Sequence, residues 1–501
     1  MHPIQPWYWR SLPLADRTGS QIFAALFHQP ITQATSESAI ATLLESPYPL
    51  GNLGAPSALQ QAQARYSICA GAPRVLNGQL QLWTPEVGNI LPFLEQLLQR
   101  QNFGSADERS RPDALPFTGG WLGWLGYDLA WEIEHLPQLK SDALPFPVAY
   151  WYEPDCFAVL DHWEQTLWLA ATNEPQLDQL EEQLALSQEA GNYKSLSLSQ
   201  NAPLTAPSLL PKFHTAQADY EAAVLKAKGY ITAGDIFQTN LSVRFEADLT
   251  GDSWSLYRAL QQVNPSPFAS YWQTPWGDVV SCSPERLVQL QGRQAQTRPI
   301  AGTRSRGTTP EQDQAQQQEL LASAKEQAEH IMLVDLERND LGRVCEWGSV
   351  AVNELLTIEY YSHVMHLVSN VIGTLQPGYN SIDLIRGVFP GGTITGCPKV
   401  RCMEIIEELE PVRRSLFYGS CGYLDWRGHL DLNILIRTLL VTKGDRLPQS
   451  NPHQSFKVWG QVGAGIVADS DPEREWYESL HKAQAQLAAL RLVELQAETS
   501  P

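Results

Sequence analysis

The sequence predicts an α+β fold, and three observations carry that prediction. Strand-like and helix-like runs are mixed along the 501 residues without the strict alternation of a doubly wound sheet. A first region, about Trp7 to Leu184, is rich in Trp and Pro and alternates polar and apolar residues over short stretches, the period of a half-buried strand. A second region, from about Lys212, carries long helical runs among its strands.

In the first region, Val148–Tyr152, Cys156–Leu160 and Gln165–Ala170 read as strands. The Ser/Gln/Pro-rich stretch Leu186 to Pro211 has little periodicity and marks the boundary. The expected organisation is an N-terminal region 1–190, a linker 191–211, a main region 212–491 and a tail 492–501. The main region opens with a helix from Ala216 to Ala233, ended by Gly234. Strands follow at Gln238–Phe245, Phe268–Gln273, Asp278–Ser283 and Arg286–Leu290. One long helix is expected from Glu311 to Asp340, and another from about Pro398 to Leu409. Two more strands are expected at Gly419–Asp425 and Leu430–Leu440. The last helix starts near Pro472, a residue suited to a first turn, and runs to about Leu495.

The chain holds 55 acidic and 35 basic residues, a formal net charge of −20. Binding duplex nucleic acid needs clustered Lys and Arg, and no such cluster occurs. A surface this negative would repel an anionic substrate, so an enzyme for a dicarboxylate would need a local cation. The seven cysteines are odd in number and form no C-x-x-C pair, which fits isolated thiols in a reducing compartment. Residues Met1 to Arg10 lack an apolar core of signal length, and no run of some 18 apolar residues occurs. A cytoplasmic protein is expected.

Two helical runs carry glutamates three apart, Glu326 with Glu329 and Glu475 with Glu478. That step sets each pair on one face. Two such faces meeting would offer oxygen donors to a hard cation, and each pair alone also fits a solvated helix surface. Lys482 stands one turn after Glu478, in reach of it or of a substrate carboxylate. Gly391, Gly392 and Gly396 lie in FPGGTITGCPK before a helix, where backbone N–H groups, Thr393 and Thr395 could bind a carboxylate. The run from Gly460 to Gly465 is too glycine-rich for an ordinary strand; a bulge or close approach to a ligand would explain it.

Together these runs resemble the chorismate-utilising enzymes: anthranilate synthase component I, aminodeoxychorismate synthase component I, isochorismate synthase and salicylate synthase. The resemblance spans about Lys212 to Arg491. It is carried by GDIFQTNLS, SPERL, RPIAGTRSRG, the LVDLERNDLGR stretch, HVMHLVS, FPGGTITGCPK, MEIIEELEP, LDLNILIRT and VGAGIVADSDPEREWYE. A weaker N-terminal likeness rests on LLES at Leu43–Ser46 and on GGWLGWLGYDLAWEIEHLP from Gly119. The resemblance implies two packed, antiparallel-rich sheets flanked by helices. It implies Mg2+ held by Glu329 and Glu478, with Glu326 and Glu475 beside them, and gripping the ring carboxylate of chorismate. Glu285 falls on the general acid for the departing 4-hydroxyl, a task that burial suits by raising its pKa. Arg437, Lys482, Thr393 with Gly392, and the backbone of Gly463, Ala464 and Gly465 fall on substrate-holding positions. Ala301, Gly302 and Thr303 fall in the same lining, and His366 on a histidine beside the ring. Where a tyrosine is expected near the substrate this chain has Phe417, with Tyr418 next.

Isochorismate and salicylate synthases carry a lysine base at the position of Gln238. A neutral amide cannot deprotonate water and suits ammonia, which attacks as it is. FPGGT, QTNL and PFASY resemble the aminodeoxychorismate form, making 4-amino-4-deoxychorismate for 4-aminobenzoate and folate. Ala301 replaces a lysine that some of those enzymes use, and fits anthranilate synthase as well. The expected partners are chorismate, a separate glutamine amidotransferase subunit delivering ammonia, and tryptophan in the N-terminal region. Neither nucleic acid nor membrane is expected. A non-catalytic sensor of tryptophan or chorismate is the remaining alternative, and it would be expected to have lost one of the acidic residues.

Overall fold

The computed structural model describes residues 7–28, 40–46, 58–100, 112, 114–189, 211–307, 309–361, 364–443 and 455–499. Of the expected linker 191–211, only Pro211 falls within them.

Two large antiparallel sheets form the body, as the resemblance implied. The first, of twelve strands, starts with first-region strands: Tyr8–Pro13, Thr166–Ala171, Cys156–Asp161, Tyr66–Ala70 and Ala41–Glu45. It continues directly into the second region through Phe268–Thr274, Gly277–Ser283, Thr438–Lys443, Ser455–Ile466, Gln238–Thr250 and Lys212–Phe213. The second sheet has ten strands and is shared in the same way, Gly120–Leu125 pairing with Ser420–Asp425. The core between them is aromatic. Trp124 sits edge-on to Trp272 at 5.9 Å and is tilted against Tyr150 at 4.5 Å, all three buried. The seven cysteines are unpaired, six of them buried. No helix among the described residues is long and apolar enough to cross a membrane.

Four elements depart from the sequence reading. The expected helix Glu311–Asp340 is two helices, Pro310–Ala322 and Ala324–Gly342. Ser323 leaves the helical region (ψ 102°), and its side chain caps the N–H of Glu326. A serine hydroxyl competes for backbone donors and so favours a new start over continuation. The expected strand Leu430–Leu440 is also two, Leu430–Asn433 in the ten-stranded sheet and Thr438–Lys443 in the other. The glycine-rich run, set apart from ordinary strands above, is fully paired within Ser455–Ile466. Its glycines admit neighbours, since a Cβ on Gly460 would fall 2.2 Å from the Phe245 ring. The terminal helix continues to Thr499, past the expected end at Leu495.

Candidate active site

Gln238–Thr250 and the glycine-rich strand run antiparallel, Asn240 opposite Gly465 and Ser242 opposite Gly463. Side chains alternate along a strand, so Gln238, Asn240 and Ser242 share one face with Gly463 and Gly465. The other face carries Leu241, Val243, Val462 and Ala464 into an apolar core, so Ala464 offers the site only its backbone. A Cβ on Gly465 would stand 2.7 Å from Gln238 Nε2, and one on Gly463 2.5 Å from the Leu241 carbonyl. Gln238 is buried, and its Oε1 has no hydrogen-bond partner among the described residues.

The Gly392–Ile394 turn is stitched to this strand, for Asn240 N donates to the Thr395 carbonyl at 2.9 Å. Gly392 packs so tightly on the helix Ala324–Gly342 that a Cβ would meet Leu336 at 2.4 Å. Thr393 Oγ1 is buried beside the Glu285 carboxyl.

Glu285 and Arg437 stand where the chain passes from one sheet to the other. Glu285 links Gly277–Ser283 to Arg286–Gln291, and Arg437 links Leu430–Asn433 to Thr438–Lys443. The two crossings are hydrogen-bonded side by side: Ile434 N to the Glu285 carbonyl at 3.0 Å, Ser283 Oγ to the Ile434 carbonyl at 2.6 Å. Arg437 takes the left-handed conformation (φ 52°) needed for its turn. Burial pushes the Glu285 carboxyl up to about 8, and repulsion from buried Glu337 adds to this, while the adjacent Thr393 hydroxyl opposes it. At neutral pH it therefore holds a proton, as a general acid must.

The strand Ile300–Ser305 brings Ala301, Gly302 and Thr303 against Val364–Thr374, with a register shift at Gly302 (φ 71°). His366 Nδ1 lies 3.0 Å from Thr303 Oγ1 and 3.4 Å from the Gly302 carbonyl. Burial lowers its pKa to about 4, so the imidazole is neutral. A Cβ on Gly302 would stand 3.0 Å from Glu326 Oε2, which fixes how near this strand comes to the glutamates.

The two glutamate-bearing helices bring their carboxylates within one another's electrostatic reach. Glu329 is raised by burial and by the charges of Glu326, Glu478 and Glu475. Glu475 is raised by burial and by Glu478, and its Oε2 is buried without a partner among the described residues. Glu326 is held by Arg304 at 3.2 Å, Glu329 by Lys325 at 3.7 Å and Glu478 by Lys482 at 2.9 Å. Among the described residues no three acidic, His or Cys side chains form a ready-made metal cage. Crowded carboxylates with an unmet oxygen still fit a hard ion that takes one or two protein carboxylates, water and an anionic ligand.

Lys482 also donates to the Gly463 carbonyl at 3.0 Å, and Arg437 Nη1 donates to the Lys482 carbonyl at 2.5 Å. Two cations thus stand beside the glycine strand, a local positive charge of the kind an anionic substrate needs on an acidic chain. Of the two aromatic candidates, Tyr418 turns toward this site. Its hydroxyl lies by Ser242 and within the field of Arg437, whereas Phe417 packs under Arg244 at 5.6 Å. Asn240, Ser242 and Arg414 were not singled out from sequence; register against the glycine strand reveals the first two, and hydrogen bonds to Asn240 and Glu410 reveal the third.

The model of the chorismate binding enzyme family matches residues 60–488. The chain belongs to that family. It is 58% identical over 490 residues to an anthranilate synthase component I-like protein of Synechocystis, covering 97% of this chain and 92% of that one. It is 47% identical over 442 residues to aminodeoxychorismate synthase component 1 of Bacillus subtilis, covering 86% and 90%. Among solved structures, anthranilate synthase component I of Streptococcus pneumoniae superposes with a TM-score of 0.67 at 32% identity, covering 84% of this chain and 92% of that one. This family member is accordingly an enzyme acting on chorismate. A separate cavity of about 470 Å³ lies between the two sheets beside the LLES strand, lined by Leu44, Glu45, Tyr66, Phe268 and Tyr423 among others.

Proposed function

We propose that the chain is the chorismate-aminating component of an aminodeoxychorismate synthase, converting chorismate and ammonia to 4-amino-4-deoxychorismate with Mg2+. The observation that carries its ammonia-dependent chemistry is Gln238, while FPGGT, QTNL and PFASY favour the aminodeoxychorismate product. A neutral amide stands on the site face of the strand paired with the glycine run, where a water-activating enzyme needs a base, and its carbonyl oxygen has no partner among the described residues and can accept from an N–H.

Glu285 donates its proton to the departing 4-hydroxyl, which leaves as water while the incoming lone pair forms a bond at C2 and the ring double bonds shift. Ala301 offers no side-chain nucleophile, so ammonia or water adds at C2 directly. The amino group of the product ends on C4, so ammonia then attacks C4, the ring double bonds shift back and the still-protonated C2 substituent leaves as ammonia or water, while the new C4 ammonium returns a proton to the Glu285 carboxylate. Lys482, Arg437 and the Thr393 turn hold substrate carboxylates and the enolpyruvyl group, and neutral His366 with Thr303 lines the ring. Glu329 and Glu478 would hold Mg2+, with Glu326 and Glu475 beside them; bound there, the ion would neutralise the ring carboxylate. A separate amidotransferase would supply ammonia, and the cavity beside Leu43–Ser46 is the place proposed for tryptophan.

Ala301 favours a second reading, in which addition at C2 is followed by loss of pyruvate to give anthranilate. Incubating the purified chain with chorismate, Mg2+ and ammonium separates the two. A compound that yields 4-aminobenzoate when a lyase is added supports the first reading; anthranilate fluorescence without a lyase overturns it in favour of the second.

A further inference from the structure

We propose that Arg414 is a positioning residue for the reaction, holding the nucleophile side of the site and the Thr393 turn in one fixed geometry. Its guanidinium is 2% exposed and uses four of its N–H groups. Nε and Nη2 donate to Glu410 at 3.0 and 2.6 Å, Nη1 to the Ile394 carbonyl at 2.7 Å, and Nη2 also to the Asn240 carbonyl at 2.9 Å. Glu410 in turn accepts from Ser242 N at 2.8 Å and Ser242 Oγ at 2.7 Å. One ion pair therefore grips the Gln238 strand at Asn240 and Ser242. Through Ile394 it also grips the turn carrying Thr393, the neighbour of Glu285.

The plane of the guanidinium matters as much as its charge. It lies between the rings of Tyr127 at 4.8 Å and Tyr418 at 4.6 Å, so it also sets the ring that points its hydroxyl at Ser242 and Arg437. A planar fork with donors in several directions and two faces to stack has no equivalent in lysine, a point charge on a flexible stem. The groups that Arg414 donates to, Glu410 and the Ile394 and Asn240 carbonyls, are not among those assigned to the substrate carboxylates. Losing it should misalign the nucleophile against the acid without removing a substrate-binding charge, and misplacement of about 1 Å can cost about 100-fold in rate.

The proposal rests on the ammonia-dependent reading above, and the Arg414→Lys variant tests it. Retaining the charge keeps Glu410 compensated, and folding is checked by circular dichroism and thermal melting. The expected result is a folded protein whose kcat with ammonium falls about 100-fold with the chorismate KM near its wild-type value. A wild-type kcat in the folded variant would overturn the proposal. So would a loss carried by a raised chorismate KM, which would make Arg414 a binding residue. Should Arg414→Lys fail to fold, the double variant Glu410→Leu, Arg414→Met removes both buried charges together, a change cores often tolerate, and is read the same way. Failure of both to fold would overturn the proposal by making the pair a requirement of the fold alone. Wild-type protein with no turnover of chorismate and ammonium would sink the function proposed above instead.

Discussion

Lys482 Nζ donates to the Gly463 carbonyl at 3.0 Å while pairing with Glu478 at 2.9 Å, so one ammonium joins the terminal helix to the glycine strand. Neither partner uses up the group, which is about a third exposed and keeps a third N–H for a ligand. A charge-assisted hydrogen bond to a substrate carboxylate contributes about 1.5–3 kcal/mol. Lys482→Met should therefore lower kcat/KM for chorismate by roughly 10- to 100-fold, chiefly through KM. Steady-state kinetics with chorismate as the varied substrate measures it. A change confined to kcat would mean that Lys482 does not bind the ground-state carboxylate.

Glu285 gives the site a pH signature. Its carboxyl, raised to about 8 by burial, stays protonated through neutrality and is lost as an acid above that. The expected kcat/KM therefore falls on the alkaline side with an apparent pKa near 8. Neutral His366, lowered to about 4, adds no change of charge in the same range. Stability follows the same sign. Above the ordinary carboxyl range the folded state holds a proton that the unfolded chain has released, so stability falls as pH rises toward 8. Glu285→Gln should abolish the alkaline limb, lower kcat by about 100- to 10,000-fold, and melt with less dependence on pH between 6 and 9. An alkaline limb that persists in this variant would assign the acid to another group.

Glu475 and Glu478 separate the metal reading from a plain salt-bridge reading. If the four glutamates serve only to pair Lys325, Arg304 and Lys482, then Glu475→Gln should be neutral or stabilising, since its Oε2 is buried without a partner among the described residues. If they hold Mg2+, then Glu475→Gln and Glu478→Gln should both fold and both lose Mg2+-dependent turnover, by about 100-fold or more, as trimming a charged ligand from an oxygen-donor site implies. Magnesium titration followed by calorimetry with chorismate present supplies a second readout. Full activity in Glu478→Gln would remove the residue from the metal site.

Much of the site was legible because its chemistry lies in contiguous motifs. SPERL carries Glu285, the two E-x-x-E steps carry the carboxylates, and helical periodicity predicted their shared faces. What stayed hidden depends on which strand pairs with which. The glycine run looked unlike a strand because its side chains are absent where its partner needs room, at Phe245 and at the Leu241 carbonyl. The strand Leu430–Leu440 looked continuous because an apolar alternation does not record that Ile434–Arg437 leaves one sheet for another. Tyr418 could not be preferred to Phe417 without the left-handed turn (φ 66°) that directs it. Arg414 offered no signal beyond a pair of arginines, since its partners lie up to 174 positions away.

The division at 191–211 looks like a domain boundary in the sequence, yet both sheets run across it, and this has a consequence for truncation. Ala41–Glu45 pairs with Phe268–Thr274, and Gly120–Leu125 with Ser420–Asp425. Thr118 N donates to Asp425 at 2.6 Å, and Tyr257 Oη to Glu45 at 2.7 Å. Removing residues 1–190 would expose two long edge strands and uncover Trp272 on its Trp124 side. Each large apolar side chain returned to water costs on the order of 2–3 kcal/mol, against a total domain stability of about 5–15 kcal/mol. Unprotected edges then pair with other chains. A fragment from residue 212 onward should be insoluble or melt without a cooperative transition, and adding the separately expressed first region should restore a soluble complex only if the two are refolded together. A monomeric fragment with a sharp thermal transition would show that the second region carries a complete core of its own.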